Sequence, residues 1–166
     1  MNDRTADNVH KAYVEEAKAH VRILKFAERA ENDGFPQIAH MFRAIAVSER
    51  VHSGRHYGLL EGGVGDTDEN LGRAFHSETG IAEVEYRRMR TEAHEDGEKV
   101  AALIFSQARD VEESHAGLYK RAMDHIIWER STTYQICTVC GYVADGGAPD
   151  NCPVCGADRS QFQNVD

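Results

Sequence analysis

Apolar residues recur at intervals of three and four along most of this chain, the spacing of helices with one buried face. From about Asp7 to Asp33 the stripe reads Ala12, Glu16, Ala19, Ile23, Ala27 and Ala30. Gly34 suits a helix end and Pro36 the first turn of a second helix, expected to run to about Glu61 with Ile38, Phe42, Ile45, Glu49, His52 and Leu59 inward. The stretch Gly62-Gly63-Val64-Gly65-Asp66 breaks the pattern. A third helix is expected from Thr67, a good N-cap followed by Asp68 and Glu69, with Leu71, Phe75, Glu78, Ile81, Glu85 and Met89 inward. Gly97 interrupts, and a fourth helix follows to about Trp128 with Ala101, Phe105, Ala108, Glu112, His115, Leu118 and Ala122 inward.

The two halves repeat. An offset of 63 carries Gly34 onto Gly97, Phe42 onto Phe105, Glu49 onto Glu112 and His52 onto His115, while Glu16 meets Glu78 with a slip of one residue. The pattern is that of a duplicated helix hairpin. Each inner face carries a glutamate where leucine is expected: Glu16, Glu49, Glu78 and Glu112. Two of these have a histidine three residues on, one turn away on the same face. An unpaired buried carboxylate costs several kcal/mol, so four of them need compensation. A pair of dications supplies it. One Glu from each of two helices and Glu-x-x-His from each of the other two make the ligand set of di-iron and di-manganese carboxylate bundles. Mixed carboxylate and imidazole ligation suits iron or manganese and argues against calcium. Glu15 is the rival of Glu16, but its stripe would include Lys18 and Arg22. His56, one turn past His52, is a candidate outer donor or spare ligand. His20, His40, His76, His94 and His125 read as surface residues.

Composition adds a second module. The apolar share of 41% suffices for a core, and the net charge of −9 favours neither nucleic acid nor an anionic membrane. The polar start MNDRTADNVHK lacks the apolar stretch of a signal peptide, and the longest apolar run, AALIF, is far too short to span a bilayer, so a cytoplasmic protein is expected. All four cysteines, Cys137, Cys140, Cys152 and Cys155, lie in the tail as two Cys-x-x-Cys knuckles, the pattern of one tetrahedral thiolate site. Such a site takes zinc, which would be structural, or a single iron, which would be redox-active. A module this small hardly folds without one of them.

With these residues in view, the chain resembles the rubrerythrin family over nearly its whole length. The carriers are Glu16, Glu49-x-x-His52, Glu78, Glu112-x-x-His115, CTVCGY and APDNCPVCGA, with Gly34-Phe35-Pro36-Gln37-Ile38-Ala39 and Glu61-Gly62-Gly63 in support. The resemblance implies an all-α ferritin-like four-helix bundle over residues 1–130, holding a di-iron centre, and a rubredoxin-like knuckle domain over 131–166, holding a mononuclear Fe(Cys)4 centre. It implies a peroxidase that reduces hydrogen peroxide to water, a head-to-tail homodimer, and electrons from a separate NAD(P)H-dependent reductase or a rubredoxin. No dinucleotide fingerprint is present in this chain, because Gly62-Gly63-Val64-Gly65 follows a helix rather than a strand. Tyr86 resembles the family tyrosine that hydrogen-bonds beside the site. One departure stands out: the family usually has another glutamate three residues after the third-helix ligand, and here that position is Ile81. In the family this carboxylate lets one iron exchange histidine for glutamate on oxidation. With Ile81 the site has the plainer six-residue set, which keeps a ferroxidase or oxygen-reducing, iron-handling reading in play beside the peroxidase. A third reading, zinc at the cysteines and an inert bundle, would make the protein structural.

Two geometric expectations concern assembly. His115 to Trp128 is about 20 Å of helix, which puts the knuckle domain off the bundle end, away from its own di-metal site. A link from Glu61 to Asp68 reaches only about 25 Å, against about 33 Å along the bundle, which favours a domain-swapped dimer.

Overall fold

The computed structural model describes residues 1–60, 62–124 and 132–165. The chain divides into two compact units, Met1–Gly65 and Asp66–Asp166. The first is a helix pair, α1 (Asp3–Asn32) and α2 (Pro36–Tyr57). Helix α1 starts earlier than expected because the Asn2 side chain accepts the Thr5 amide at 2.9 Å, satisfying one of the free donors of the first turn. The pair is antiparallel: Tyr13 stacks near Tyr57, His20 reaches Ala46, Phe26 meets Phe42, and Arg43 pairs with Glu31.

In the second unit α3 (Thr67–Gly80), a π-helical turn (Ile81–Tyr86) and α4 (Arg87–Glu95) run end to end, and α5 (Lys99–Met123) packs back along them. The cap of α3 is Asp66, not Thr67: Asp66 accepts the Glu69 amide at 2.9 Å and Glu69 reaches back to the Asp66 amide, a reciprocal pair that Thr67 is one residue too late to make. The repeat is visible in the turns. Gly34 and Gly97 both hold positive φ, +80° and +76°, and the next amides, Phe35 and Glu98, each bond at 2.8 Å to the carbonyl five residues back.

The tail is a three-stranded antiparallel sheet in the order β2-β1-β3, with β1 Tyr134–Cys137, β2 Val143–Asp145 and β3 Phe162–Val165. Four helical runs and this knuckle module bear out the all-α ferritin-like class with a small metal-knuckle tail.

Helix ends differ from the sequence reading in two places. Helix α2 stops at Tyr57, and Glu61 lies outside the described residues, as do Trp128 and His125. The connection therefore begins four residues sooner than expected. Ten extended steps would reach about 33–36 Å, more than the roughly 28 Å now needed along a bundle. Link length alone thus does not demand a domain swap.

Among the described residues, the buried helical side chains are almost all alanine: Ala27, Ala30, Ala39 and Ala46 in the first unit, and Ala82, Ala93, Ala102, Val111, Ala116 and Ala122 in the second. Small residues at the seam let paired helices approach closely. The larger residues expected inward sit on a different stripe: Ile38 and Ile45 remain 44% and 38% exposed. No described helix is long and apolar enough to cross a membrane.

Candidate metal centres

Each unit gathers three of the six carboxylate and imidazole ligands expected from the sequence. Glu16 of α1 meets Glu49 and His52 of α2, and Glu78 of α3 meets Glu112 and His115 of α5, with the ligand atoms of each trio within 4.8 Å of one another. Helical spacing explains the trios. In each Glu-x-x-His pair, histidine Nδ1 lies against its own glutamate, at 3.2 Å for His52 and Glu49 and 2.9 Å for His115 and Glu112. His115 Nε2 is buried without a hydrogen-bond partner among the described residues.

The carboxylates are held too close to be indifferent. Glu16 hydrogen-bonds to Glu49, which, with burial and the Glu49 charge, raises Glu16 above the ordinary range against the opposing pull of His52 and His56. The same hydrogen bond and that of His52 hold Glu49 below it. Burial, then the hydrogen bond and charge of Glu112, raise Glu78. In each unit two carboxylates lie within hydrogen-bonding reach of one another where a dication would satisfy both oxygens, so the donor set fits a metal.

Glu15 pairs with Lys18 at 3.2 Å, and it is Glu16 that joins Glu49 and His52. Glu85, expected inward, pairs with Arg88 at 2.8 Å instead. His56 faces Glu16 electrostatically but lies outside the trio. His20 is not a surface residue: its Nδ1 lies 2.7 Å from the Ala46 carbonyl and ties α1 to α2. The remaining described histidines outside the site, His10, His40, His76 and His94, are exposed.

The π turn accounts for the one-residue slip in the repeat. The chain from Glu78 to Gly97 is one residue longer than that from Glu16 to Gly34. A π turn closes over five residues instead of four and absorbs the extra one without breaking the helix. It begins at Ile81, three residues after Glu78, and ends at Tyr86. The Tyr86 ring sits 6.2 Å from that of Phe105. Burial, then the charges of Glu112 and Glu78, push its phenol up, so it stays protonated beside both carboxylates.

The cysteine module shows the same fit by distance. Cys137 Sγ lies 3.7 Å from Cys155 Sγ, and Cys140 Sγ 3.6 Å from Cys152 Sγ. Metal–sulfur bonds of roughly 2.3 Å in a tetrahedron put the sulfurs about 3.8 Å apart. The knuckles match each other: the Gly141 and Gly156 amides each bond at 2.9 Å to the first cysteine of the pair, with φ at +88° and +75°. Burial raises the Cys140 and Cys155 thiols; Cys137, buried as well, is brought below its ordinary value by the amides of Cys140 and Val139.

The module does not stand away from α5 as its length suggested. A Cβ placed on Gly141 would lie 4.0 Å from Val111 Cγ1, and Arg121 reaches Asp145 at 3.5 Å. Between the two elements is a cavity of about 360 Å³ whose walls include Leu71, His115, Tyr119, Ala122, Tyr134 and Val143.

Two family patterns match the chain: rubrerythrin over residues 7–68, and the rubrerythrin rubredoxin-like domain over 135–163. Rubrerythrin-2 of Clostridium acetobutylicum is 31% identical, the alignment covering 98% of this chain and 97% of that protein. Nigerythrin of Nitratidesulfovibrio vulgaris is 29% identical over 95% of this chain and 85% of its own length. Among solved structures, the partially reduced and the fully reduced, all-ferrous states of nigerythrin are similar, both at 28% identity over 97% of this chain and 86% of theirs, with TM-scores of 0.59 and 0.58.

Proposed function

The chain belongs to the rubrerythrin family, and from that premise we propose that it is a peroxidase of oxidative-stress defence, reducing hydrogen peroxide to water with electrons that enter through the cysteine module. Rubrerythrin domains imply a di-iron site and a rubredoxin-like Fe(Cys)4 centre. The residues assigned to the first are Glu16, Glu49, His52, Glu78, Glu112 and His115, and to the second Cys137, Cys140, Cys152 and Cys155. The observation that carries the reading is their joint presence in one chain: two matched carboxylate–imidazole trios and a sulfur tetrahedron of metal-binding size. When bound, the iron pair supplies two electrons to peroxide and the thiolate-held iron replaces them singly.

The chain's own residues do the rest. Glu49 and Glu112 fix the ring of the histidine one turn on, so each imidazole meets the metal level in one orientation. Tyr86, kept protonated between Glu78 and Glu112, holds a proton for the oxygen that leaves as water. Electrons come from a separate NAD(P)H-dependent reductase or a rubredoxin, and the protein works in the cytoplasm.

The working unit in this reading is a homodimer, arranged head to tail and domain-swapped. Each helix pair holds half of the ligand set and leaves large apolar residues exposed, Val21, Ile38 and Met41 in the first and Leu103 and Ile104 in the second. The connection is taken up in turns, Leu60 to Tyr57 at 3.0 Å and Gly63 to Leu60 at 2.9 Å, rather than extended along a bundle. Residues 1–130 then form the bundle domain and 131–166 the knuckle domain.

Coupled turnover tests the activity. With a flavoprotein reductase, rubredoxin and NADH, one NADH should be oxidised per peroxide, and Cys152→Ser should abolish it. Consumption of oxygen at an equal or greater rate would favour the iron-handling reading, for which Ile81 in place of the family glutamate is the specific support.

A further inference from the structure

We propose that Tyr13 and Tyr57 are a one-electron reserve for the Glu16–Glu49–His52 trio, giving peroxide the electron it lacks when the cysteine module has none to supply. The role rests on the peroxidase reading, the placement on geometry alone.

The seam between α1 and α2 is a ladder of contacts in antiparallel register. Phe26 meets Phe42 at 5.9 Å between ring centroids, His20 reaches the Ala46 carbonyl, Glu16 joins Glu49 and His52, and Tyr13 meets Tyr57 at 5.1 Å. The phenol pair is thus the rung next to the carboxylates, on the side away from His20. Tyr13 stands one turn before Glu16, which puts their Cβ atoms about 5–6 Å apart. It is half-buried, whereas Tyr57, the last residue of α2, is 38% exposed. The pair runs from the metal ligands to solvent.

Packing does not call for two phenols here. In the second half, Phe75 stands three residues before Glu78 and Lys120 five after His115, the places of Tyr13 and Tyr57, and Lys120 pairs with Asp124 at 3.2 Å. A phenylalanine and a lysine serve the same fold, so what the phenols add is chemistry: tyrosine is one of the few side chains that yields an electron to a strong oxidant. Tyr86 is the phenol beside the other trio, but among the described residues its ring partner is Phe105, which is far harder to oxidise. An oxidised Tyr86 has no ring to which it can pass the loss, whereas Tyr13 has Tyr57.

One peroxide takes two electrons and two protons to become two waters. When the iron pair holds a single reducing electron, Tyr13 gives the second. Tyr57 returns an electron to Tyr13 and releases its phenol proton to water at the exposed ring. Over the whole step, one ferrous iron, one phenol, one peroxide and one proton become one ferric iron, one neutral tyrosyl radical and two waters. The O–O bond and the phenol O–H bond break, and O–H bonds of water form. A small enediol or thiol reductant restores the phenol from solvent, giving one electron with one proton.

Freeze-quench EPR of the full-length protein, with zinc at the cysteines and the bundle irons reduced to one electron per pair, tests this apart from turnover. On mixing with peroxide a tyrosyl radical should appear, its lines narrowed when the tyrosine rings are deuterated. Tyr13→Phe, a ring that Phe75 shows to fit this rung, should remove the radical while the bundle keeps its iron. Tyr57→Phe should keep it, on Tyr13, and slow its reduction by ascorbate several-fold. In the all-iron protein with excess NADH, reductase and rubredoxin, both variants should turn over as the wild type does. A radical that survives Tyr13→Phe, or that only Tyr86→Phe removes, would overturn the proposal. Loss of the mixed-valent iron signal with no radical would overturn it too, and would leave the peroxidase reading standing. A bundle that takes no iron, or iron that peroxide leaves unoxidised, fails the peroxidase reading and the reserve with it.

Discussion

Glu78 shows how much of the account hangs on single carboxylates. Burial and Glu112 raise it, so in the metal-free protein the folded chain holds its proton more tightly than the unfolded chain does. A raised carboxyl contributes stability that is full below its unfolded value, near 4.5, and is lost as pH rises through the folded one. Glu16 acts in the same direction, and Glu49, being lowered, in the opposite one. In the metal-free state the melting temperature of the wild type relative to Glu78→Gln should therefore fall as pH rises from 4.5. A difference in thermal melts that does not change with pH would count against the raised Glu78. At Ile81, 39% exposed at the head of the π turn, Ile81→Glu restores the family carboxylate. It should raise the ratio of peroxide to oxygen rates several-fold in stopped-flow mixing, and an unchanged ratio would remove Ile81 from the argument. Residue identities were the most legible part of the sequence. Glu16 was separable from Glu15 because only its stripe is apolar, and Lys18 indeed takes Glu15. Glu85 was not separable, since periodicity sees a face but not that Arg88, three residues on, captures the carboxylate.

At the scale of elements the repeat makes sharp demands. Gly34 and Gly97 occupy the left-handed region, where a Cβ costs roughly 1–2 kcal/mol. Gly34→Ala and Gly97→Ala should each destabilise by about that amount in urea titration, and equally, because their hydrogen bonds match. A cost at one site only would argue against equivalent hairpins. The π turn makes the complementary demand. Deleting Val84, which is 60% exposed, removes the extra residue and should leave an uninterrupted run like α1, in which Glu16 meets Glu49 without a π turn. The bundle should then keep its metal, as the cysteine module does; loss of the bundle metal alone would contradict the role given to the turn. The slip in the repeat was legible, but its structural form was not. A one-residue surplus can become a loop, a kink or a π turn, and only packing on both sides of it decides. The cap at Asp66 was legible in principle, as Asp66-x-x-Glu69, and was obscured by an equally good capping residue at Thr67.

At the scale of the molecule, what the sequence could not show was where the tail returns. Helix length fixes the point at which a tail leaves, not the direction it takes, and the cavity that His115 and Ala122 of α5 share with Tyr134 and Val143 of the tail lies on a stripe that shares His115 with the metal face. The swap makes its own prediction. Chains carrying Glu49→Ala have a broken first trio, and chains carrying Glu112→Ala a broken second one. Each homodimer should be inactive. In a swapped dimer of one of each, one site unites two intact trios, and mixing after refolding should restore up to about half of the activity per mixed dimer. No restoration would mean that each bundle is built from one chain.

The central claim is that peroxide draws electrons through the cysteine module to the carboxylate pair, and the visible spectrum reads it most directly. Protein reduced without air is bleached at the iron–thiolate bands. On mixing with stoichiometric peroxide the colour should return rapidly, and with air-saturated buffer slowly. Return at least as fast with air would contradict the peroxidase and favour oxygen handling, and a protein colourless throughout would have no iron at the cysteines and no electron path to explain.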